Sequence, residues 1–324
     1  MALSRARVSF HDLQPDAGSF LDDVITGLSQ PQKALNPKYF YDHRGCGLFE
    51  AICELPEYYP TRTEMAVMQA RVREITQRLG PEGVLIEYGS GSSRKTRVLI
   101  SELNPVAYVP IDIAGEHLRA SALDLAATFP ALRIIAVCAD YSRPLALPHI
   151  NHLDARRRIV YFPGSTIGNF TVPEARQFLI HALRLVGAGG AMLVGVDLKK
   201  DRGVLHAAYN DAQGVTAAFN LNLLARINRE LGADFDLAAF RHHAFYNADA
   251  GRIEMHLASL IDQRVTLRGH VFGFRAGETV HTENSYKYSV AEFQALARAA
   301  GFEPEACWTD TQQLFSVHYL AAPH

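Results

Sequence analysis

"LIEYGSGSSRKTRVLI", residues 85–100, runs from an apolar stretch through two glycines into a basic, helix-prone segment. An apolar run that ends on glycine and continues at helical spacing is how a parallel strand hands over to the helix that covers it. With Gly89 and Gly91 the backbone is bare where the strand ends, so a ligand can approach it closely. In an open parallel sheet, ligands lie beyond the carboxyl ends of the strands, at the point where strand order reverses.

Outward from this stretch the same rhythm repeats. "GVLIEYG" (83–89), "VAYVPID" (106–112), "LRIIAVCAD" (132–140), "RRIVYFPGS" (157–165) and "AMLVGVDL" (191–198) read as successive strands. Between them, residues 93–103, 115–129 and 172–186 place apolar side chains at helical spacing, the last segment ended by Gly187, Gly189 and Gly190. This alternation predicts an α/β fold, a doubly wound, mostly parallel sheet covered by helices. After Lys200 the rhythm breaks. Residues 201–247 read as mostly helical, and "RIEMHLASLI" (252–261) with "RVTLRGHVFGF" (264–274) reads as an antiparallel pair. A helix over 290–301 and a last strand over 314–322 then return to the first pattern. A chain that leaves a sheet and re-enters it predicts an inserted α+β domain. The aromatic, turn-rich segment 33–64 is expected to fold onto that insertion as a lid.

Composition narrows the partners. A chain of 324 residues with 48% apolar side chains can fill an ordinary core, and a net charge of −2 with 14 histidines provides no basic field to gather nucleic acid or anionic lipid. A small-molecule partner is expected. The N-terminal segment lacks the apolar core of about 7–15 residues that a secretion signal needs. No apolar run reaches the ~18 residues of a membrane-spanning helix. Cys46, Cys53, Cys138 and Cys307 are scattered without a CxxC pair. A reduced, cytoplasmic setting with buried thiols follows.

Ligand chemistry is written at the strand ends. A dinucleotide fingerprint would need a third glycine at position 94, where Arg94 stands. Glu87, just before the turn, would repel a diphosphate and welcome an ammonium or sulfonium group. This E-x-G-x-G pattern at the first strand end resembles the S-adenosylmethionine site of class I methyltransferases, whose fold is Rossmann-like. Asp112 lies 21 residues past Gly91, near the spacing of about 20 at which a carboxylate meets ribose hydroxyls. Asp140 and Tyr141 end the third strand, where that fold recognises adenine. Each feature alone also suits a tight turn or a helix cap; their order on successive strand ends points to the cofactor. At the fourth strand end, "FPGSTIGNF" (162–170) lets Gly164 and Gly168 bring backbone to a ligand and Asn169 offer a donor and an acceptor. Asn169 equally suits a cap for the helix that begins near Val172.

Taken together, "KYFYDHRGCGLFEAICELPEYYPTRTE", "EYGSGSSRKTR", "FPGSTIGNF", "AYNDAQGVTAAFN", "RIEMHLAS" and "TENSYKYS" resemble the L-histidine Nα-methyltransferases of ergothioneine biosynthesis, from about residue 30 onward. The resemblance implies a methyltransferase domain over 63–199 and 288–324, and a substrate-binding domain with N-terminal lid over 16–62 and 200–287. It implies conversion of L-histidine to the trimethyl betaine hercynine, with S-adenosyl-L-methionine as methyl donor and S-adenosyl-L-homocysteine as product. By the same resemblance Asn169 and Tyr209 hold the substrate carboxylate, while Asn169 and Tyr58 lie near the amine as the catalytic pair. Glu283 and Ser285 read the imidazole, Met255 lines its pocket, and Phe49 and Gly164 form walls. Tyr41, Gly89, Gly91, Lys95, Asp112, Asp140 and Tyr141 fall to the cofactor.

The implied chemistry is consistent with these side chains. A neutral imidazole has one N–H and one bare nitrogen, so a carboxylate beside a hydroxyl satisfies both. Methyl transfer to an amine needs alignment and a lone pair rather than a metal, and none is expected. The aromatics Tyr39, Phe40, Tyr41, Tyr58 and Tyr59 suggest a partial cage for the growing ammonium, with at least two of them expected to be core instead. His149 and His152 have metal-like spacing but read as a solvated turn, and His242-His243 as surface or domain packing. A monomer is expected. Competing readings are a related enzyme acting on another amine such as tryptophan, whose site should lose the acid at 283, and a non-catalytic cofactor-binding protein.

Overall fold

The structure, a computed structural model, describes residues 7–13, 18–91, 93–147, 150, 153 and 155–324. His149 and His152 lie outside the described residues. The chain divides into two compact units: Met1–Gln14, Pro60–Lys199 and Lys287–His324 form the first, and Pro15–Tyr59 and Lys200–Tyr286 the second.

Numbered along the chain, the elements open with β1 (Val8–Asp12), α1 (Gly18–Leu28), α2 (His43–Glu54) and α3 (Tyr59–Leu79). The alternating region follows: β2 (Gly83–Tyr88), α4 (Arg94–Leu103), β3 (Ala107–Asp112), α5 (Gly115–Thr128), β4 (Ile134–Cys138), β5 (Arg157–Phe162), α6 (Val172–Val186) and β6 (Ala191–Asp197). Next come α7 (Arg202–Tyr209), α8 (Val215–Leu231), β7 (Phe240–Asn247), β8 (Arg252–Ser259), β9 (Gln263–Leu267), β10 (His270–Phe274) and β11 (Thr279–Tyr286). The chain closes with α9 (Val290–Ala299), β12 (Glu303–Thr309) and β13 (Phe315–Ala321).

In the first unit an eight-stranded sheet runs β1-β4-β3-β2-β5-β6-β13-β12. Neighbours from β1 to β6 are parallel, and β13 and β12 are antiparallel additions at the far edge. All residues of β2 and β6 are buried, which is why their sequences are mostly apolar rather than alternating, with the acids Glu87 and Asp197 near their carboxyl ends. Leu85, Tyr108, Ile134, Ile159 and Leu193 join Met68 and Ile75 of α3, Leu99 of α4 and Leu118 and Leu125 of α5 in one core. From β2 the chain steps outward through β3 and β4, then returns to the other side of β2 with β5 and β6. The carboxyl end of β2 therefore stands at the reversal of strand order, where an open sheet leaves a crevice. This is the doubly wound α/β sheet that the sequence predicts.

The second unit packs α2 against α8 and carries an antiparallel sheet in the order β11-β8-β7, with β9 and β10 pairing separately. Residues 33–35 extend the sheet beside β11, since Leu35 N–H donates to His281 O and His281 N–H to Lys33 O, both at 2.8 Å.

Several expectations need correction. Residues 240–247 are strand β7 rather than helix, because "FRHHAFYN" supplies aromatic and histidine side chains that suit a half-buried pleat. The segments 252–261 and 264–274 do not pair with each other. β8 is central, between β7 and β11, whereas 264–274 folds back on itself. The break falls at Arg268 and Gly269, both with positive φ (48° and 86°), as a two-residue hairpin turn demands. Strands β1 and β12 are edge elements that the sequence does not announce. Only one residue of the two strands is fully buried, so no apolar run marks them.

Candidate active site

The first unit assembles its candidate groups around the end of β2. Gly89 and Gly91 have φ of 67° and 45°, and a Cβ at Gly89 would approach the Tyr141 hydroxyl to 3.3 Å. The glycines thus serve a left-handed turn as well as an open backbone. Asp112, at the end of β3, accepts hydrogen bonds from Gly91 N at 3.1 Å and Ala114 N at 2.9 Å. Those bonds pin the glycine turn to the neighbouring strand and leave acceptor capacity on both carboxylate oxygens for hydroxyl donors. Asp140 accepts from Ser142 N at 3.0 Å, and Tyr141 lies against Tyr88 with ring centroids 5.5 Å apart. A bare turn, a fixed carboxylate on the next strand and an aromatic ring on the one after fit an adenosyl group: backbone for close approach, acceptors for a ribose, a face for a base.

Glu87 does not serve as the sequence suggests. Its carboxylate is buried and accepts from the Thr96 hydroxyl at 2.6 and 2.7 Å and from the Tyr108 hydroxyl. Burial pushes its acid up to about 8, with Thr96 and Tyr108 opposing that rise. Its hydrogen bonds tie β2 to α4 and β3, and burial makes it hold a proton more tightly than an ordinary carboxyl.

A carboxylate that sequence reasoning missed takes part instead. Glu64 of α3 is fully buried, pairs with Lys95 and accepts from Gly164 N at 2.9 Å. It therefore joins the start of α4 to the loop after β5, which carries Gly164 and Asn169. Its other oxygen has no hydrogen-bond partner among the described residues and faces Gly195, where an added Cβ would lie 2.3 Å away. The available signal was an acid on the same helical face as Val67 and Met68. Asn169 ends a short 3₁₀ turn, Thr166–Asn169. The cap left open for it is filled by Thr171, whose N–H and hydroxyl both donate to Glu174.

In the second unit, Tyr41 and Phe49 meet edge-on at 5.8 Å, Phe49 and Tyr58 at 6.4 Å, and Tyr58 and Tyr209 at 6.3 Å. Tyr209 donates its hydroxyl to Ser285 Oγ at 2.8 Å. Glu283 stands opposite Met255 across β11 and β8, and Ser285 opposite Ile253, so Met255, Glu283 and Ser285 share a sheet face. Burial, with Tyr209 and Glu283 nearby, raises the Tyr58 hydroxyl well above its usual range, so it stays protonated. Tyr41, which the resemblance assigns to the cofactor, belongs to this aromatic group of the second unit. Tyr39 and Phe40 are core, as the bland alternative had it. Tyr39 donates to Asp23 at 2.6 Å, and Phe40 stacks on Phe219 at 4.5 Å. On the opposite face of the sheet, Glu254, His256 and His281 bring potential ligand atoms within 4.8 Å of one another. Arg252 and Asn247 both donate to one oxygen of Glu254, and His256 bonds to the other.

The strand order of the first unit and the groups at its strand ends define a class I S-adenosylmethionine-dependent methyltransferase. Within that class, the family described as "Histidine-specific methyltransferase, SAM-dependent" matches residues 20–322, and the chain belongs to it. It is 43% identical over 295 residues to the histidine N-alpha-methyltransferase of Mycolicibacterium smegmatis, covering 89% of this chain and 90% of that one. With the histidine N-alpha-methyltransferase of Mycobacterium tuberculosis it shares 41% identity, over 98% and 99% of the two chains. "Ergothioneine biosynthesis protein 1" of Neurospora crassa is 28% identical over 93% of this chain and 35% of its own length.

Proposed function

We propose that this enzyme transfers methyl groups from S-adenosyl-L-methionine to the α-amino group of L-histidine, giving hercynine and S-adenosyl-L-homocysteine at the entry to ergothioneine biosynthesis. The observation that carries this is the shared face of Met255, Glu283 and Ser285, with Tyr209 bonded to Ser285. A carboxylate beside a hydroxyl matches both imidazole nitrogens, whereas a phenyl ring has no polar atom to offer and an indole has a single N–H donor and no ring acceptor.

The cofactor, when bound, supplies a methyl carbon already activated as a sulfonium. Gly89, Gly91, Asp112, Asp140 and Tyr141 would hold its adenosyl part, with Lys95 nearby and fixed by Glu64. Tyr209 and Asn169 take the substrate carboxylate, and the imidazole held by Glu283 and Ser285 sets the orientation of the amine. Protonated Tyr58 directs that amine by its hydroxyl and cannot act as a base. An α-amine titrates near ~8, so a substantial fraction of it is neutral without help from a side chain. Tyr41, Phe49, Tyr58 and Tyr209 form the aromatic group that would accept the ammonium as it gains methyls, each face contributing roughly 0.5–2 kcal/mol. Among the described residues no helix is long and apolar enough to cross a membrane. We place the enzyme in the cytoplasm as a monomer acting on a free amino acid, with no nucleic-acid or membrane partner.

Incubation with S-adenosylmethionine and a panel of amino acids, read by mass spectrometry, tests the proposal. Histidine should gain three methyl groups. Methylation of tryptophan with histidine untouched would overturn it.

A further inference from the structure

The register of β11 contains one irregularity, and it falls at the residue before Glu283. His281 stands opposite His256 and Glu283 opposite Met255, so Thr282 is an extra residue with no partner on β8. Neighbouring residues of β8 point to opposite faces, so the bulge places His281 on one face and Glu283 on the other. An unbroken ladder would have put Thr282 opposite Met255 and Glu283 opposite Glu254, turning the acid to the far face beside a second carboxylate. The bulge is what gives Glu283 the same face as Met255 and Ser285.

A buried set of hydrogen bonds holds the bulge. The Thr282 hydroxyl, 1% exposed, donates to Asn220 Oδ1 at 2.8 Å and lies 3.0 Å from Met255 O. The fully buried Asn220 amide donates to His256 O at 3.0 Å and to His242 Nδ1 at 2.9 Å. His242 Nε2 in turn donates to Tyr209 O at 2.8 Å. On the far face His281 Nε2 donates to Glu283 O at 3.1 Å. One continuous network therefore ties the backbone of Tyr209 to the backbone just before Glu283. Each polar atom along it has a single consistent role, donor or acceptor.

We infer that Thr282 and Asn220, through His242, are positioning residues for substrate selection: they fix the face and spacing at which Glu283 and Tyr209 are presented. This deepens the proposed function and rests on Glu283 reading the imidazole. None of the three need touch the substrate.

The test compares Thr282→Val, Thr282→Ala and Thr282→Ser with the unsubstituted enzyme. Removing the hydroxyl should raise the KM for histidine about tenfold with kcat within about twofold and S-adenosylhomocysteine affinity unchanged, and serine should restore the KM. A histidine KM unchanged in both the valine and alanine variants overturns the inference, as does a loss of cofactor affinity in step with the KM. Failure of the serine variant to restore KM also overturns it. If the unsubstituted enzyme leaves histidine unmethylated, the functional proposal falls and takes this inference with it; silent valine and alanine variants of an active enzyme remove this inference alone.

Discussion

Glu87 and Glu64 show what a single residue reveals in sequence and what it conceals. An acid one turn before a glycine pair reads as a charge offered to the ligand, yet side-chain direction on a fully buried strand sends Glu87 to Thr96 and Tyr108. The sequence fixes the position of such an acid along the chain; its charge state depends on how thoroughly the fold dries it. The consequence is measurable. A carboxyl whose folded value rises to about 8 keeps its proton in the native state at pH values where the unfolded chain has lost it. Native stability should therefore fall as pH climbs from the ordinary carboxyl range toward 8. Glu87→Gln removes this dependence. Its stability relative to the unsubstituted protein should rise between pH 5 and pH 8 by on the order of 4 kcal/mol at most, measured by denaturant unfolding. A constant difference across that range would mean that Glu87 is ionised in the native state. Met255, Glu283 and Ser285 were singled out by the resemblance rather than by spacing; alternation alone says only that Glu283 and Ser285 share a face. Thr282, Asn220 and Glu64 were not legible, because they act through partners 27 to 100 residues away.

At the scale of elements, periodicity located the long ones well. α4, α5, α6 and α9 and the parallel strands β2 to β6 form where apolar spacing predicts them. It failed where pairing rather than burial decides. β9 and β10 depend on two residues with positive φ, and β7 follows a helical stretch with no apolar run to mark the change. Contacts between elements are likewise invisible to spacing, and the contact of α3 with β6 is one such case. Glu64 is held in place by Lys95 and Gly164, so it has little room to yield to a side chain on β6. Gly195→Ala would put a Cβ 2.3 Å from its oxygen and 3.0 Å from a ring carbon of Phe315. Overpacking of this kind should cost about 1–3 kcal/mol in a denaturant titration. An alanine variant as stable as the unsubstituted protein would show that Glu64 can move aside.

For the whole molecule, the break in rhythm after Lys200 was the informative feature, since the parallel α/β region stops there and the chain returns to the same sheet only with the antiparallel strands β12 and β13. The first unit carries the strand-end groups that suit an adenosyl cofactor, and the second the acid and hydroxyl that suit an azole. The central claim is that the carboxylate at 283 recognises the substrate ring. Calorimetric titration of L-histidine in the presence of S-adenosylhomocysteine, into the unsubstituted protein and Glu283→Ala, tests it most directly. Loss of a charged hydrogen-bond partner should weaken histidine binding about 10- to 100-fold while S-adenosylhomocysteine binds as before. Equal histidine affinity in the two proteins would contradict the account.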